Sequence, residues 1–118
     1  MANIGTLVTR VFTSRTQLPI AGAAVTIIKW EADGSFAPLA ARTSDQNGKT
    51  APVAIETPDI MKSLSPNMPQ GYAVVDVRVA HPDYTPLEIR GIQIFPEVQS
   101  IQEIPMLPLS RQQRSRLQ

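Results

Sequence analysis

Proline and glycine punctuate this chain so often that only short elements fit between them. Eleven prolines and six glycines fall within 118 residues. Proline lacks a backbone donor and is excluded from helix interiors and central strands alike. The intervals between these residues alternate apolar and polar side chains with a period of two, which is the period of a strand. Residues 6–13 set Leu7, Thr9 and Val11 against Val8, Arg10 and Phe12. In 23–30, Val25 and Ile27 face one way and Ile28 and Trp30 the other. The plainest case is 72–80, where Val75, Val77 and Val79 oppose Asp76 and Arg78. The pattern predicts an all-β sandwich of seven or eight antiparallel strands.

Turn chemistry places the joints. The segment QLPIAG at 17–22 reads as a turn, and Asp33-Gly34 marks a hairpin into a run at 36–43, because glycine supplies the positive φ that tight hairpins need. Asn47-Gly48 marks a further turn, followed by a run at 49–56. HPDYTP at 81–86 leads into 87–95, whose phase slips. Leu87 and Ile89 share one parity, Ile92 and Ile94 the other, and Gly91 sits at the slip, which predicts a β-bulge. In 98–109 the residues Val98, Ile101 and Ile104 recur every three positions, as in a helical turn. Pro105 and Pro108 oppose a helix there, so the run is expected to be an edge strand. The predicted core is Leu7, Val11, Val25, Ile27, Val53, Val75, Val77, Val79, Ile89, Ile94 and Ile104.

Between these runs lies a long segment, 57–71, with Pro58, Pro66 and Pro69 among apolar Ile60, Met61, Leu64 and Met68. Segments of this length in a compact domain either pack on themselves or carry function. Its apolar side chains either cover an end of the sandwich or meet a partner.

Composition narrows the function classes. With a net charge of +1 the chain has no strong field for nucleic acid. With no cysteine it can form neither a disulfide nor a thiolate metal site. No run approaches the roughly 20 apolar residues of a membrane span. The N-terminal residues lack a basic region followed by an apolar one, so no export signal is visible and a cytoplasmic location is the default expectation. One domain is expected over 1–109. A flexible basic tail with Arg111, Arg114 and Arg116 is expected over 110–118.

Chemistry-bearing constellations are sparse. The sequence TSDQNGKT invites a calcium loop, but counting from Asp45 places Lys49 at loop position 5, where an oxygen ligand is required. A turn fits better: Asn47-Gly48 reverses the chain and Asp45 accepts hydrogen bonds from backbone N–H groups ahead of it. His81 is the sole histidine, and no nucleophile elbow or phosphate loop accompanies it. The sequence therefore predicts no enzyme, no cofactor and no metal site.

The order of motifs is informative as a whole. GTLVTRVF, then P-I-A-G-A-A-V-T-I at 19–27, then T-S-D-Q-N-G-K-T, then Y-A-V-V-D-V-R-V and H-P-D-Y, and last I-Q-E-I-P-M-L-P-L resemble the carboxypeptidase regulatory-like domains. These share the transthyretin-like (prealbumin-like, Ig-like) sandwich. The resemblance covers about residues 5–109. The segment K-S-L-S-P-N-M-P and I-Q-I-F-P-E-V are closest in style to members from spore-forming Firmicutes that accompany peptidoglycan-binding or spore-cortex-lytic modules, which implies a cell-envelope or spore setting.

The functional expectation is a non-enzymatic accessory or protein-interaction module. It would work through the 57–71 segment (Ile60, Met61, Leu64, Met68), the turn with Asp45 and Asn47, and an edge strand that recruits another protein or forms a homodimer. The alternative is a peptidoglycan-binding module with Trp30 and Tyr84 as stacking residues.

Overall fold

The computed structural model describes residues 3–31, 34–57 and 72–109. Seven strands run in order: β1 (Asn3–Thr13), β2 (Ala24–Trp30), β3 (Phe36–Thr43), β4 (Val53–Thr57), β5 (Ala73–His81), β6 (Tyr84–Ile94) and β7 (Gln99–Met106). They form a three-stranded sheet in the order β4-β1-β7 and a four-stranded sheet in the order β3-β2-β5-β6. The expected sandwich is present. One pairing departs from the antiparallel expectation: β7 lies parallel to β1, with Val8 opposite Ile101 and Val11 opposite Ile104. The chain must cross between sheets to reach that position, which period-two patterning cannot reveal.

The core forms where the apolar faces of the sheets meet. Leu7, Val11, Val53, Ile55, Ile104 and Met106 from the small sheet pack with Val25, Ile27, Val75, Val77, Val79 and Ile94 from the large one. Burying each such side chain stabilises the fold by about 1.5–3 kcal/mol before the entropy of ordering is subtracted. Ile89 corrects the expected list, because it is only partly buried and packs at the margin of this core. Its strand is the outermost of the large sheet, and among the described residues no strand lies beside Ile89 on the outer flank. Thr9 shares the inward parity of Leu7 and Val11 and is fully buried. Its hydroxyl is satisfied by Thr50 Oγ1 at 2.8 Å.

Two glycines do what the sequence asks of them. Gly91 has φ +73, and the β5–β6 register shifts between Val75 and Val77, so the bulge lies where the phase slip placed it. Gly48 has φ +77, and a Cβ there would come within 2.2 Å of the Val11 carbonyl oxygen. The 45–49 turn can therefore lie flat against β1 only with glycine at that position. Two boundaries differ from expectation. β4 starts at Val53 rather than at 49, because Lys49 only bridges Arg10 before the chain leaves β1 again. β6 starts at Tyr84, which pairs with His81 and leaves Pro82 and Asp83 as the hairpin loop.

Candidate functional site

The edges of the sheets are where an all-β domain can take a partner, because unpaired N–H and C=O groups lie along them. On the large sheet both edges are blunted. β3 carries Pro38 and a register break between Ile27 and Ile28 of its partner strand. β6 carries Pro86 and the Gly91 bulge. β4 is short, at five residues. β7 is different: from Gln99 to Ile104 it has neither proline nor bulge, and Pro105 comes only near its end.

The parallel register shows which way its backbone points. Thr6 N–H donates to the Val98 carbonyl at 3.0 Å, and Ser14 N–H donates to the Met106 carbonyl at 3.0 Å. The even-numbered residues of β7 thus face β1. Gln99, Ile101 and Glu103 point their N–H and C=O groups the other way. Among the described residues no backbone group pairs with them until Leu107, whose carbonyl accepts the Thr85 N–H at 2.8 Å, although the Glu103 carbonyl accepts the Gln102 side-chain Nε2–H at 3.0 Å. Among the described residues Ile101 is also the most exposed of the large apolar side chains, at 63%.

Beside this edge a groove of about 570 Å³ crosses the outer face of β1. Val8 and Arg10 line it, with Ile101 and Gln99 on one side and Asp45, Lys49 and Pro52 on the other. Arg10 is fixed from two directions. It pairs with Glu103 at 3.0 Å and lies over the Phe12 ring at 4.9 Å. The Asp45 turn forms as the sequence indicates. Its Oδ1 accepts the N–H groups of Asn47 at 2.8 Å and Lys49 at 3.0 Å, and its carbonyl accepts the Gly48 N–H at 2.8 Å. Asp45 is therefore occupied in shaping the groove wall, and Asn47 is exposed beside it.

The remaining predicted residues are dispersed. Ile60, Met61, Leu64 and Met68 fall in 57–71 and, apart from Thr57 itself, that segment lies outside the described residues, as does the tail at 110–118. Trp30 and Tyr84 are separated. Trp30 pairs with Phe36 at one end of the large sheet, whereas Tyr84 pairs with His81 at the other. The Tyr84 ring packs on the core and meets His81 edge-on at 5.1 Å. They cannot form a single stacking platform. Trp30 is exposed, at 39%, and its indole N–H donates to Asp76 Oδ1 at 2.8 Å.

Sequence reasoning missed three features. Ile101 carried a signal, since it breaks parity with the buried Ile104 and so must face outward on any strand. The ion-paired trio Arg78–Glu88–Arg90 joins two strands, and only the β5–β6 register brings it together: Arg78 Nε pairs with Glu88 Oε2 at 2.8 Å, and Arg90 Nε pairs with Glu88 Oε1. The Arg90 hydrogen bond, seconded by Arg78, holds the Glu88 carboxyl below its ordinary value. Phe36, edge-on to Trp30 with ring centroids 4.4 Å apart, also went unnoticed.

No protein-family profile and no curated protein sequence matches the chain. Solved structures do resemble it in fold. It is similar to 3-chlorocatechol 1,2-dioxygenase from Rhodococcus opacus 1CP at a TM-score of 0.62 and 10% identity, over 92% of this chain and 61% of that one. The minor pilin of Streptococcus agalactiae matches at a TM-score of 0.57 and 11% identity, over 93% and 47% of the two chains. Transthyretin from Sparus aurata matches at a TM-score of 0.52 and 14% identity, over 88% of this chain and 91% of that one. The chain thus spans only part of the dioxygenase and the pilin but nearly the whole of transthyretin. At these identities the likeness concerns architecture alone. The described residues form a seven-stranded β-sandwich of transthyretin-like fold.

Proposed function

We propose that this domain is a non-catalytic protein-interaction module that takes an extended segment of another protein along the outer edge of β7. The observation that carries this reading is the run Gln99–Ile101–Glu103, whose outward backbone groups, apart from the Glu103 carbonyl held by the Gln102 side chain, pair with no backbone among the described residues, and which carries the exposed Ile101 side chain. An added strand would gain main-chain hydrogen bonds from this row, and its alternate side chains would cover Ile101 and enter the groove over Val8 and Arg10. The spent hydrogen-bonding of Asp45 supports a binding role for the turn as a wall rather than as chemistry. A second copy of the chain is one such partner, since an exposed edge can also pair with itself.

The experiment is site-specific photo-cross-linking in the native host. A photoreactive residue at position 101 should give a discrete cross-linked product, and the same residue at position 39 on β3 should not. A product at twice the chain mass identifies self-association. Equal products from positions 101 and 39, or none from 101, would overturn the reading.

A further inference from the structure

The outer face of the four-stranded sheet carries a second arrangement, on the opposite side of the molecule from the β7 groove and independent of it. At one end Trp30 and Phe36 are exposed, at 39% and 54% of the residue. The indole is not free to swing, because its N–H is held by Asp76 Oδ1. Asp76 lies on the outward parity of β5 yet is only 4% exposed. The same oxygen accepts the Gly91 N–H at 3.0 Å, so one carboxylate anchors both the ring and the bulge. A bulge re-aims the neighbouring side chain, and here that side chain is Arg90. Arg90 and Arg78 both use Nε to hold the two oxygens of Glu88. Their Nη ends have no partner among the described residues, and both side chains are largely exposed, at 74% and 60%. Beyond Arg78 the face falls into a shallow hollow of about 320 Å³ with a floor of Ala24, Thr26 and Ala80 and a rim of Pro86 and Glu88.

This sequence of features (fixed ring, paired guanidinium groups, small-residue trough) runs along the sheet for roughly 20 Å at about 3.3 Å per strand residue. Trp30 and Arg90 are two strands apart, roughly 10 Å, which is within the reach of a disaccharide. An aromatic face suits the C–H face of a pyranose, and a guanidinium fork matches a carboxylate in two-point geometry. The small net charge of the chain argues against nucleic acid as the anion. We propose that this face binds an acidic oligosaccharide, with a sugar ring stacked on Trp30 and a sugar carboxylate bridged by Arg78 and Arg90.

The test is affinity electrophoresis in native gels containing polygalacturonate, or its fully methyl-esterified form as the neutral counterpart. The wild-type chain should be retarded by polygalacturonate and bind the ester about tenfold more weakly, the loss expected for about 1.4 kcal/mol of charge-assisted bonding. Trp30→Ala should abolish retardation, and Arg90→Gln should weaken it about tenfold. Arg15→Gln, at an exposed turn position away from this face, should leave it unchanged. If Trp30→Ala loses its fold by circular dichroism, Phe36→Ala and Arg90→Gln, both at exposed positions, carry the test alone. No retardation of the wild type, equal retardation by acid and ester, or equal losses for Arg15→Gln and Arg90→Gln would each overturn the proposal. Ile101→Pro should not affect retardation, which separates this site from the β7 edge.

Discussion

β3 and β7 are both outer strands, and both display apolar side chains to solvent: Phe36 and Leu39 on one, Ile101 on the other. They differ in their backbones. β3 meets its partner across a register break and carries Pro38, which has no N–H to offer. β7 keeps a regular parallel ladder with β1 and sets its outward groups in an even row, of which the Glu103 carbonyl is met by the Gln102 side chain. Exposed hydrophobic area alone therefore does not mark the working edge. What distinguishes β7 is that a second strand could lie against it without meeting a gap. Breaks of the kind found in β3 are a common protection against unwanted pairing, and β7 has none before Pro105.

Perturbing the supports beneath the two edges should give the largest effects. Gly48→Ala combines positive φ with a clash against the Val11 carbonyl, which is backbone and cannot step aside. It should destabilise the domain by about 3 kcal/mol or more in urea unfolding. Gly91→Ala, in the sheet that owns β3, has comparable φ but open space around the new Cβ. It should cost only about 1–2 kcal/mol. Next in size is Asp76→Ala, which leaves the Trp30 and Gly91 N–H groups without their acceptor. A loss of about 1–3 kcal/mol is expected by the same method.

Ile101→Pro bears on the comparison itself. The Ile101 N–H points away from β1, so its removal should cost stability only about 1 kcal/mol, yet it should abolish cross-linking from a neighbouring probe at position 103. Gln102→Pro, one residue on, deletes an N–H directed at β1 and should cost about 3 kcal/mol instead. The smallest effect concerns pH. Glu88 has its carboxyl lowered from 4.5, chiefly by Arg90. A lowered folded value means that the contribution is present above 4.5 and is lost as pH falls below it. Glu88 is exposed, so the effect should be slight: thermal unfolding of Glu88→Gln should track the wild type more closely at pH 3 than at pH 7.

The strands, most of the core and the Gly91 bulge were legible because each follows from a local rule, alternation or parity, that the residues state directly. The Asp45 turn was legible for the same reason. The parallel seat of β7 was not, because nothing local separates a parallel neighbour from an antiparallel one. The Arg78–Glu88–Arg90 trio and the Trp30–Asp76 bond depend on which residues the register sets opposite each other, and a strand read by itself does not contain its register. Trp30 and Tyr84 were named together as candidate stacking residues, and their separation also depends on register. The fold places them at opposite ends of one sheet.

Residue-resolved amide hydrogen exchange tests the central claim most directly. In the isolated chain Gln102, Ile104 and Met106 should exchange slowly and Ile101 and Glu103 rapidly. With the partner captured at position 101 added back, Ile101 and Glu103 should become as slow as their neighbours. If Ile101 and Glu103 are already slow in the isolated chain, or if the partner leaves them fast, β7 is not the edge at which this domain works.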